Sequence, residues 1–561
     1  MVLSVSIVSA SSSEQNTSRQ SSWDEANWYT LFAPQSSMTT YLLNYDKEIV
    51  HQWESDYLPG HSAYLLENGN LLRTAYLGSN PIFLSGGMGG GVQELDWNGT
   101  IVWEFRYSST TYLSHHDITR LPNGNILMIA WEVKTSTEAV AAGRNPNLVT
   151  MFGLWPDHVI EVEPTGPTSG AIVWEWHVWD HLVQDYDSSK ANYGVVGDHP
   201  ELVDINYAEL TGSGSDWLHT NSIDYNEEFD QILLSVHNFN EIWVIDHSTT
   251  TAEAAGHTGG NSGKGGDLLY RWGNPRVYRV GTVNDQKLFG QHDARWIDAG
   301  CPGEGNILVF NNGYGRPGSR YSSVDEITPP VDSQGTYDYT HGLAYEPEEQ
   351  VWIYTARNPT DFYAYMISGA QRLANGNTMI CDGKKGIFFE VTNEKDTIWE
   401  YINPYPNPYL NTVFKMETYP SNFSGLANVL EQPKNPERPL GKITGKIGTQ
   451  YNFTSRTTDP QDNQVYYLFD WGDKTNSGWL GPFDSGEIVN ASHVWSKRGS
   501  FSVTVKAKDI HGHQSDWSEP LSVKMPKNTA YPFDGFFSQI FEQLIKRFPQ
   551  MFSILRQFLN Y

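Results

Sequence analysis

A recurring unit limits the folds open to this chain more than any other feature. A strand-turn-strand pattern returns as "HSAYLLENGNLL" from His61, "HHDITRLPNGNIL" from His115, "HTNSIDYNEEFDQILL" from His219, "HDARWIDAGCPGEGNILV" from His292 and "SGAQRLANGNTMI" from Ser368. Asn-Gly steps at 68–69, 123–124 and 375–376 lie between alternating apolar runs, and this dipeptide suits tight hairpins because both central residues take positive φ. A second strand pair accompanies each unit: "YLLNYDKEIVHQW", "VQELDWNGTIVWEF", "VIEVEPTGPTSGAIVWEW", "IWVIDHSTT" leading to "GDLLYRW", and "IFFEVTNEKDTIWEY". A unit of four short strands cannot bury its apolar face alone, so such units stack, and a β-propeller is the closed solution. Five units are evident and "SRYSSVDEITPPV" near residue 325 supplies a degenerate extra strand pair, so a six-bladed β-propeller over 24–430 is expected in an all-β chain. Trp53, Trp103, Trp174, Trp272 and Trp399 recur at matching places and read as blade-packing residues.

The repeat also gives the histidines an address. Counting back from the aligned turns, His61, His116 and, less closely, His219 and His292 fall at the start of the first strand of successive units. Innermost strands of a propeller converge on one mouth of the central channel, so four imidazoles from four blades are expected to face one small cavity.

With 561 residues the chain holds more than one domain, and 65 acidic against 37 basic side chains give a net charge of −28, which repels nucleic acid. Residues 1–23, beginning "MVLSVSIVSASSSEQ", resemble the remnant of a secretory signal, so a secreted, extracytoplasmic or cell-surface location is expected. No other apolar run reaches the ~18 residues of a spanning helix. Cys301 and Cys381 allow at most one bridge. The glycine run at 86–91 lacks the βαβ setting of a dinucleotide fingerprint and reads as a loop. "GGNSGKGG" has the wrong glycine spacing for a phosphate loop, with Gly265 where Ser or Thr should bind magnesium. No Cys/His spacing resembles a zinc site, and no metal or cofactor is expected.

The repeat stops after residue 430, and 431–439 read as a proline-rich linker. Residues 440–526 alternate as short strands, and "FDWGDKT", "SHVWSKRGSFSVTVKAKD" and "HGHQSDWSEPLSV" resemble the polycystic-kidney-disease (PKD) type of immunoglobulin-like sandwich. Asp473 in its Trp-Gly-Asp signature reads as a turn cap ahead of a calcium ligand. In 527–561, Phe537, Ile540, Phe541, Leu544, Ile545 and Phe548 fall at helical spacing, an amphipathic tail suited to a membrane surface, a partner, or the protein itself.

Six stretches together are more specific: "SHHDITRLPNGNIL", "DWLHTNSIDY", "LSVHNFNEIWVIDHSTT", "GQHDARW", "NNGYGRPGSRYSSVDEI" and "ISGAQRLANGNTMICDG". They resemble the arylsulfate sulfotransferase (ASST) family over about residues 24–405. The resemblance implies transfer of a sulfuryl group from a phenolic sulfate ester to a phenol without a nucleotide donor. It implies His292 as transient nucleophile, with His116 (or His115) and His219 as helpers; His115 and His61 are also expected among the substrate-binding residues, although His61 lies outside the matched motifs. It also implies an arginine in an S-x-R step after "HTNS"; here Ser235-Val236-His237 is read with valine in the guanidinium's place, leaving His237, Arg316, Arg320 or Arg357 to bind the sulfonate. A propeller that captures sulfated or phenolic ligands without turnover is the alternative. A quinone-dependent dehydrogenase propeller is a third reading, loosely suggested by the glycine-tryptophan repeats.

Overall fold

The computed structural model describes residues 28–207, 214–430, 432–460, 463–510, 512–526 and positions 539, 540, 542–544, 546 and 547 of the tail. The signal-like residues 1–23 and most of the tail lie outside the described residues. The tail positions that are described are helical and exposed, Ile540 and Leu544 among them. The described chain divides into two compact units after Asn428.

The described residues of the first unit form six four-stranded antiparallel sheets, with a short parallel pair, Leu182–Val183 and Val203–Asp204, between the third and fourth. Blade one takes its innermost strand, Val413–Pro420, from the end of the unit and the other three, Trp28–Pro34, Thr39–Asn44 and Ile49–Glu54, from its beginning. The innermost strands of blades two to six are Pro59–Leu65, Tyr112–Arg120, Thr220–Asn226, His292–Trp296 and Gly369–Arg372. Each innermost strand contacts the next, and Gly369–Arg372 contacts Val413–Pro420, which contacts Pro59–Leu65, so the ring closes. The segment near residue 325 is not an extra strand pair: Ser323–Ile327 is the third strand of the blade that begins at His292. The sixth sheet comes instead from pairing of the unit's two ends, with Tyr29 opposite Tyr419 and Leu31 opposite Glu417. The two halves of that blade lie too far apart in sequence for a local repeat to reveal them.

The repeated tryptophans do pack between blades. Trp53, Trp103, Trp272 and Trp399 are buried, and each donates its indole N–H to a backbone carbonyl of the following blade: Asp96, Ser169, Pro347 and Tyr45. Trp174 donates to Thr249 Oγ1, and Trp352, which the repeat did not flag, completes the circuit at the Asn393 carbonyl. Each ring therefore fills a seam with apolar surface and satisfies its one polar atom there.

In the second unit, Leu440–Gly441, Gln450–Ser455 and Val489–Val494 form one sheet, and Leu480–Phe483, Val465–Asp470, Gly499–Asp509 and Leu521–Met525 the other. Phe453, Tyr467, Phe469, Trp471, Trp495 and Val503 fill the core. Asp473 caps its own turn through Thr475 (N–H 3.1 Å, Oγ 2.6 Å) and accepts from His493 Nε2 at 2.9 Å. Both cysteines are free thiols. Among the described residues no helix is long and apolar enough to cross a membrane.

Candidate active site

Hydrogen bonds between neighbouring blades set the register of the innermost strands. The Ile223 N–H donates to Asp117 Oδ2, the Ala294 N–H to Ser222 Oγ, and the Ala370 N–H to Asp293 Oδ2. Asp117, Ser222 and Asp293 are thus equivalent, which puts His116 and His292 at one shared position and Asn221 at that position in the blade between. His219 is therefore not at the repeat position but two residues ahead of it. The chain bulges on entering these strands, and His61, His116 and His219 take positive φ of 121°, 54° and 56°. Such backbone strain costs on the order of 1–3 kcal/mol per residue, and here it turns side chains toward the channel mouth.

The imidazoles meet as a chain of ring contacts: His61 to His116 at 5.4 Å, His116 to His219 at 4.6 Å, His219 to His237 at 5.2 Å and His237 to His292 at 5.3 Å. Phe414, from the last strand of the ring, touches His61, His116 and His292. His116 and His292 are buried, whereas His61, His219 and His237 are partly open. His115 lies behind, stacked on Trp131 at 3.9 Å and sharing a 2.8 Å Nδ1–Nδ1 hydrogen bond with His116.

The environments divide the cluster electrostatically. Burial, reinforced by neighbouring histidines, pushes His61 down to about 3 and His237 to about 4, and holds His116 and His292 well below the usual imidazole range. His219 is the exception. Burial opposes its charge, but the Asp216 carboxylate 2.5 Å from its Nδ1 outweighs that and raises its pKa, while Asp216 is lowered in return. Asp216 also accepts from Ser85 Oγ at 2.5 Å and Trp131 Nε1 at 3.1 Å. His219 thus favours the charged form where His61, His116, His237 and His292 favour the neutral one.

His292 is held with equal care. Its Nδ1 is 2.8 Å from Asn312 Oδ1, and Asn312 Nδ2 donates to the carbonyls of Ala364 and Ile367 at 2.7 and 2.8 Å. Those two carbonyls fix the amide with its oxygen toward the ring, so His292 carries its proton on Nδ1 and leaves a lone pair on Nε2. The Ile367 N–H approaches that Nε2 at 3.3 Å.

Of the sulfonate-binding residues expected, only His237 joins the cluster. Val236 is fully buried in the apolar core, so the residue of the Ser235-Val236-His237 step that faces the histidines is the third, not the second. Arg316 is tied to its own blade, 4.3 Å from the Tyr321 ring and 3.3 Å from Ser323 Oγ, while Arg320 and Arg357 are exposed. An arginine at 236 is expected to cost about 3–5 kcal/mol as an unpaired buried charge, without any gain in activity. An arginine at 237 is expected to fold and to lower KM for an aryl sulfate by about tenfold or more, the worth of one charge-assisted hydrogen bond. Melting temperatures and KM of the two variants check this pair.

The glycine run at 86–91 is more than a loop. Gly90–Leu95 is a strand of blade two, and Gly87 lies flat against His116, whose Nδ1 is 2.3 Å from where a Cβ would stand. With φ of +88° as well, Gly87→Ala is expected to displace His116 and lower both rate and melting temperature, at a strain cost of about 1–3 kcal/mol. Asn312, Asp216, Ser85, Gln35 (Nε2 2.9 Å from His61 Nδ1) and Phe414 all escape a reading of the repeat. Asn312 and Asp216 do lie inside two of the quoted stretches, but no pattern within the sequence marks them.

Below the histidines the channel is crossed by buried charge. Lys415 Nζ meets Asp117 at 2.9 Å and Asp293 at 3.3 Å, and Arg295 meets Glu417 at 2.6 Å. Beyond this network lies a cavity of about 400 Å³ lined by Tyr64, Asp224, Arg295, Trp296 and Tyr419, away from the imidazoles. Its Asp224, raised by burial to about 7, is used by the backbone N–H groups of Trp296 and Tyr225.

Comparison with known proteins bears on both units. No curated protein sequence matches the chain. Among solved structures, the PKD domain of an M14-like peptidase from Thermoplasmatales archaeon SCGC AB-540-F20 is 45% identical over 17% of this chain and 97% of its own, with a TM-score of 0.17. A protein of unknown function from Bacteroides caccae is 12% identical over 70% of this chain and 99% of its own, with a TM-score of 0.39. The PKD domain family matches residues 442–519. The arylsulfotransferase (ASST) family matches residues 52–422, which hold all the histidines of the cluster, and the chain belongs to that family.

Proposed function

We propose that this protein moves a sulfuryl group from a phenolic sulfate ester to a phenol, without a nucleotide donor, through a sulfuryl intermediate on Nε2 of His292. The observation that carries this reading is the Asn312 lock, which presents a neutral imidazole with its lone pair at Nε2, where it accepts from the Ile367 N–H at 3.3 Å. In the first half-reaction Nε2 attacks sulfur, the S–O bond breaks, and the phenolate leaves with the electron pair and takes the proton of His219. The Nδ1 proton stays on the ring because Asn312, unlike a carboxylate, cannot accept the charge. The sulfurylated ring therefore remains a cationic leaving group, primed for the second step. A phenol then gives its proton to the now neutral His219 and attacks sulfur, which restores both histidines. The Ile367 N–H, which donates to Nε2 at 3.3 Å in the resting site, gives up that bond when Nε2 attacks and can then donate to a sulfuryl oxygen. His116 acts by holding His219 edge-on, and His61 by stacking on His116; replacing His61 is expected to be felt in stability more than in kcat.

The test is brief exposure to 4-nitrophenyl sulfate followed by intact-mass and peptide analysis. A gain of about 80 Da on the His292 peptide, discharged by added phenol, is expected from the covalent route. Nitrophenolate release with no adduct on His292 would sink the mechanism. A binding-only reading has one observation in its favour, a histidine in place of arginine at 237; protection against thermal unfolding by the sulfate ester, with no nitrophenolate released, selects it. The signal-like start and the PKD domain favour work outside the cytoplasm, with the second unit and tail available for surface contact.

A further inference from the structure

The glycine-rich stretch rejected as a phosphate loop has an unexplained centre. Its two ends close on each other, with the Gly266 N–H on the Gly256 carbonyl and the Gly265 N–H on that of Gly259, each at 3.0 Å. This closure sets His257 and Asp267 side by side. Asp267 Oδ1 is 2.7 Å from His257 Nδ1 and 2.8 Å from Nδ1 of His181, which arrives from the preceding blade. These three atoms lie within 4.8 Å of one another, the one such His/Cys/Asp/Glu group among the described residues.

The His181 ring, with 0% exposure, is held from both sides: its Nε2 is 2.8 Å from the Ala254 carbonyl, an acceptor only, and its Nδ1 faces the Asp267 carboxylate. A ring nitrogen pinned by a backbone carbonyl while the other faces a carboxylate and a second imidazole is the outer support that metal-binding histidines use. The pocket is built around the ring as well: a Cβ at Gly266 would stand 2.5 Å from His181 Nε2. His257, 60% exposed, leaves the remaining coordination position open to water.

We propose that His181, His257 and Asp267 bind a divalent metal ion, and that the donor set of two imidazoles and one carboxylate favours zinc. The ion clamps the loop 256–267 to the linker between blades three and four. The ligands are 86 and 10 residues apart, a spacing no zinc motif contains. The site is separate from the His292 cluster and from the sulfuryl chemistry proposed there.

The experiment takes the full chain stripped with EDTA, adds zinc chloride, removes the excess by gel filtration, and reads zinc per chain and melting temperature. Wild type is expected to retain one zinc and to melt higher for it, while calcium chloride leaves melting unchanged. His257→Ala, at an exposed position, is expected to keep its fold and its aryl-sulfate turnover but to bind zinc at least about 100-fold more weakly. Equal zinc in wild type and variant would place the ion on the channel histidines and overturn the proposal. No zinc in either would overturn it too, leaving a buried imidazolium–carboxylate pair.

Discussion

His292→Ala is expected to abolish sulfuryl transfer and the covalent adduct together, a loss of about 10⁴- to 10⁶-fold in kcat such as removal of a nucleophile or its direct partner brings. The ring is buried, so the melting temperature must be read alongside. A large rate loss with a modest shift in melting identifies the nucleophile, whereas equal small rate losses with large melting losses at His61, His116, His219 and His292 would make the cluster structural. Asn312→Asp sharpens the test because it keeps the shape and adds a charge. A carboxylate on Nδ1 favours the imidazolium, so the pKa of His292 should rise. The neutral nucleophile then exists only above that raised value, and the acid limb of the rate profile should move to higher pH. An unmoved acid limb in this variant would contradict the tautomer argument.

Asp216→Asn should give the second largest effect, about 10²- to 10³-fold in kcat, the loss of one aligned charge-stabilising donor. The sign of the accompanying pH shift follows from the pair. In the wild type His219 is raised above its ordinary 6.5, so in the proposed mechanism the proton meant for the leaving phenolate is held to a higher pH and is lost as pH climbs through the raised value. Without the carboxylate, burial alone acts on His219, its pKa falls, and the alkaline limb of the rate profile should move to lower pH. Stability obeys the same linkage. The raised histidine stabilises fully below 6.5 and loses that contribution as pH rises through its folded value; the lowered Asp216 contributes above 3.8 and loses it as pH falls through its own. Between those limits the wild type should hold a melting advantage over Asp216→Asn that shrinks toward both ends.

Periodicity carries the fold in this chain because a four-strand unit with a clasp tryptophan recurs in every blade, marked in three of them by an Asn-Gly turn at 68–69, 123–124 and 375–376. It fails where one blade is split between residues 28–54 and 413–420, since neither piece carries the complete unit, which leaves the strand at 323–327 looking like a unit of its own. The site was legible in part. His116 and His292 share a repeat position, so counting from turns finds them, and family resemblance supplies His219, which stands two residues ahead of that position. The orienting partners are invisible for a physical reason: Asn312 and Asp216 act through hydrogen-bond direction, which depends on a tertiary neighbour and leaves no periodic trace. Val236 shows the opposite hazard, in which one residue of misplacement on a strand exchanges the channel for the core.

Phe414 and Lys415 stand on the last strand of the ring, and both reach its centre, one among the imidazoles and the other among the carboxylates of blades three and five. During synthesis, five blades' worth of chain and every histidine of the cluster exist before that strand does. The mouth at that stage lacks one wall and the channel lacks the cation that neutralises Asp117 and Asp293. Assembly of the site therefore waits on the final strand, and a chain interrupted before residue 413 carries every proposed reactive group without a place to use it. Under the proposed mechanism, turnover would report that the ring has been completed.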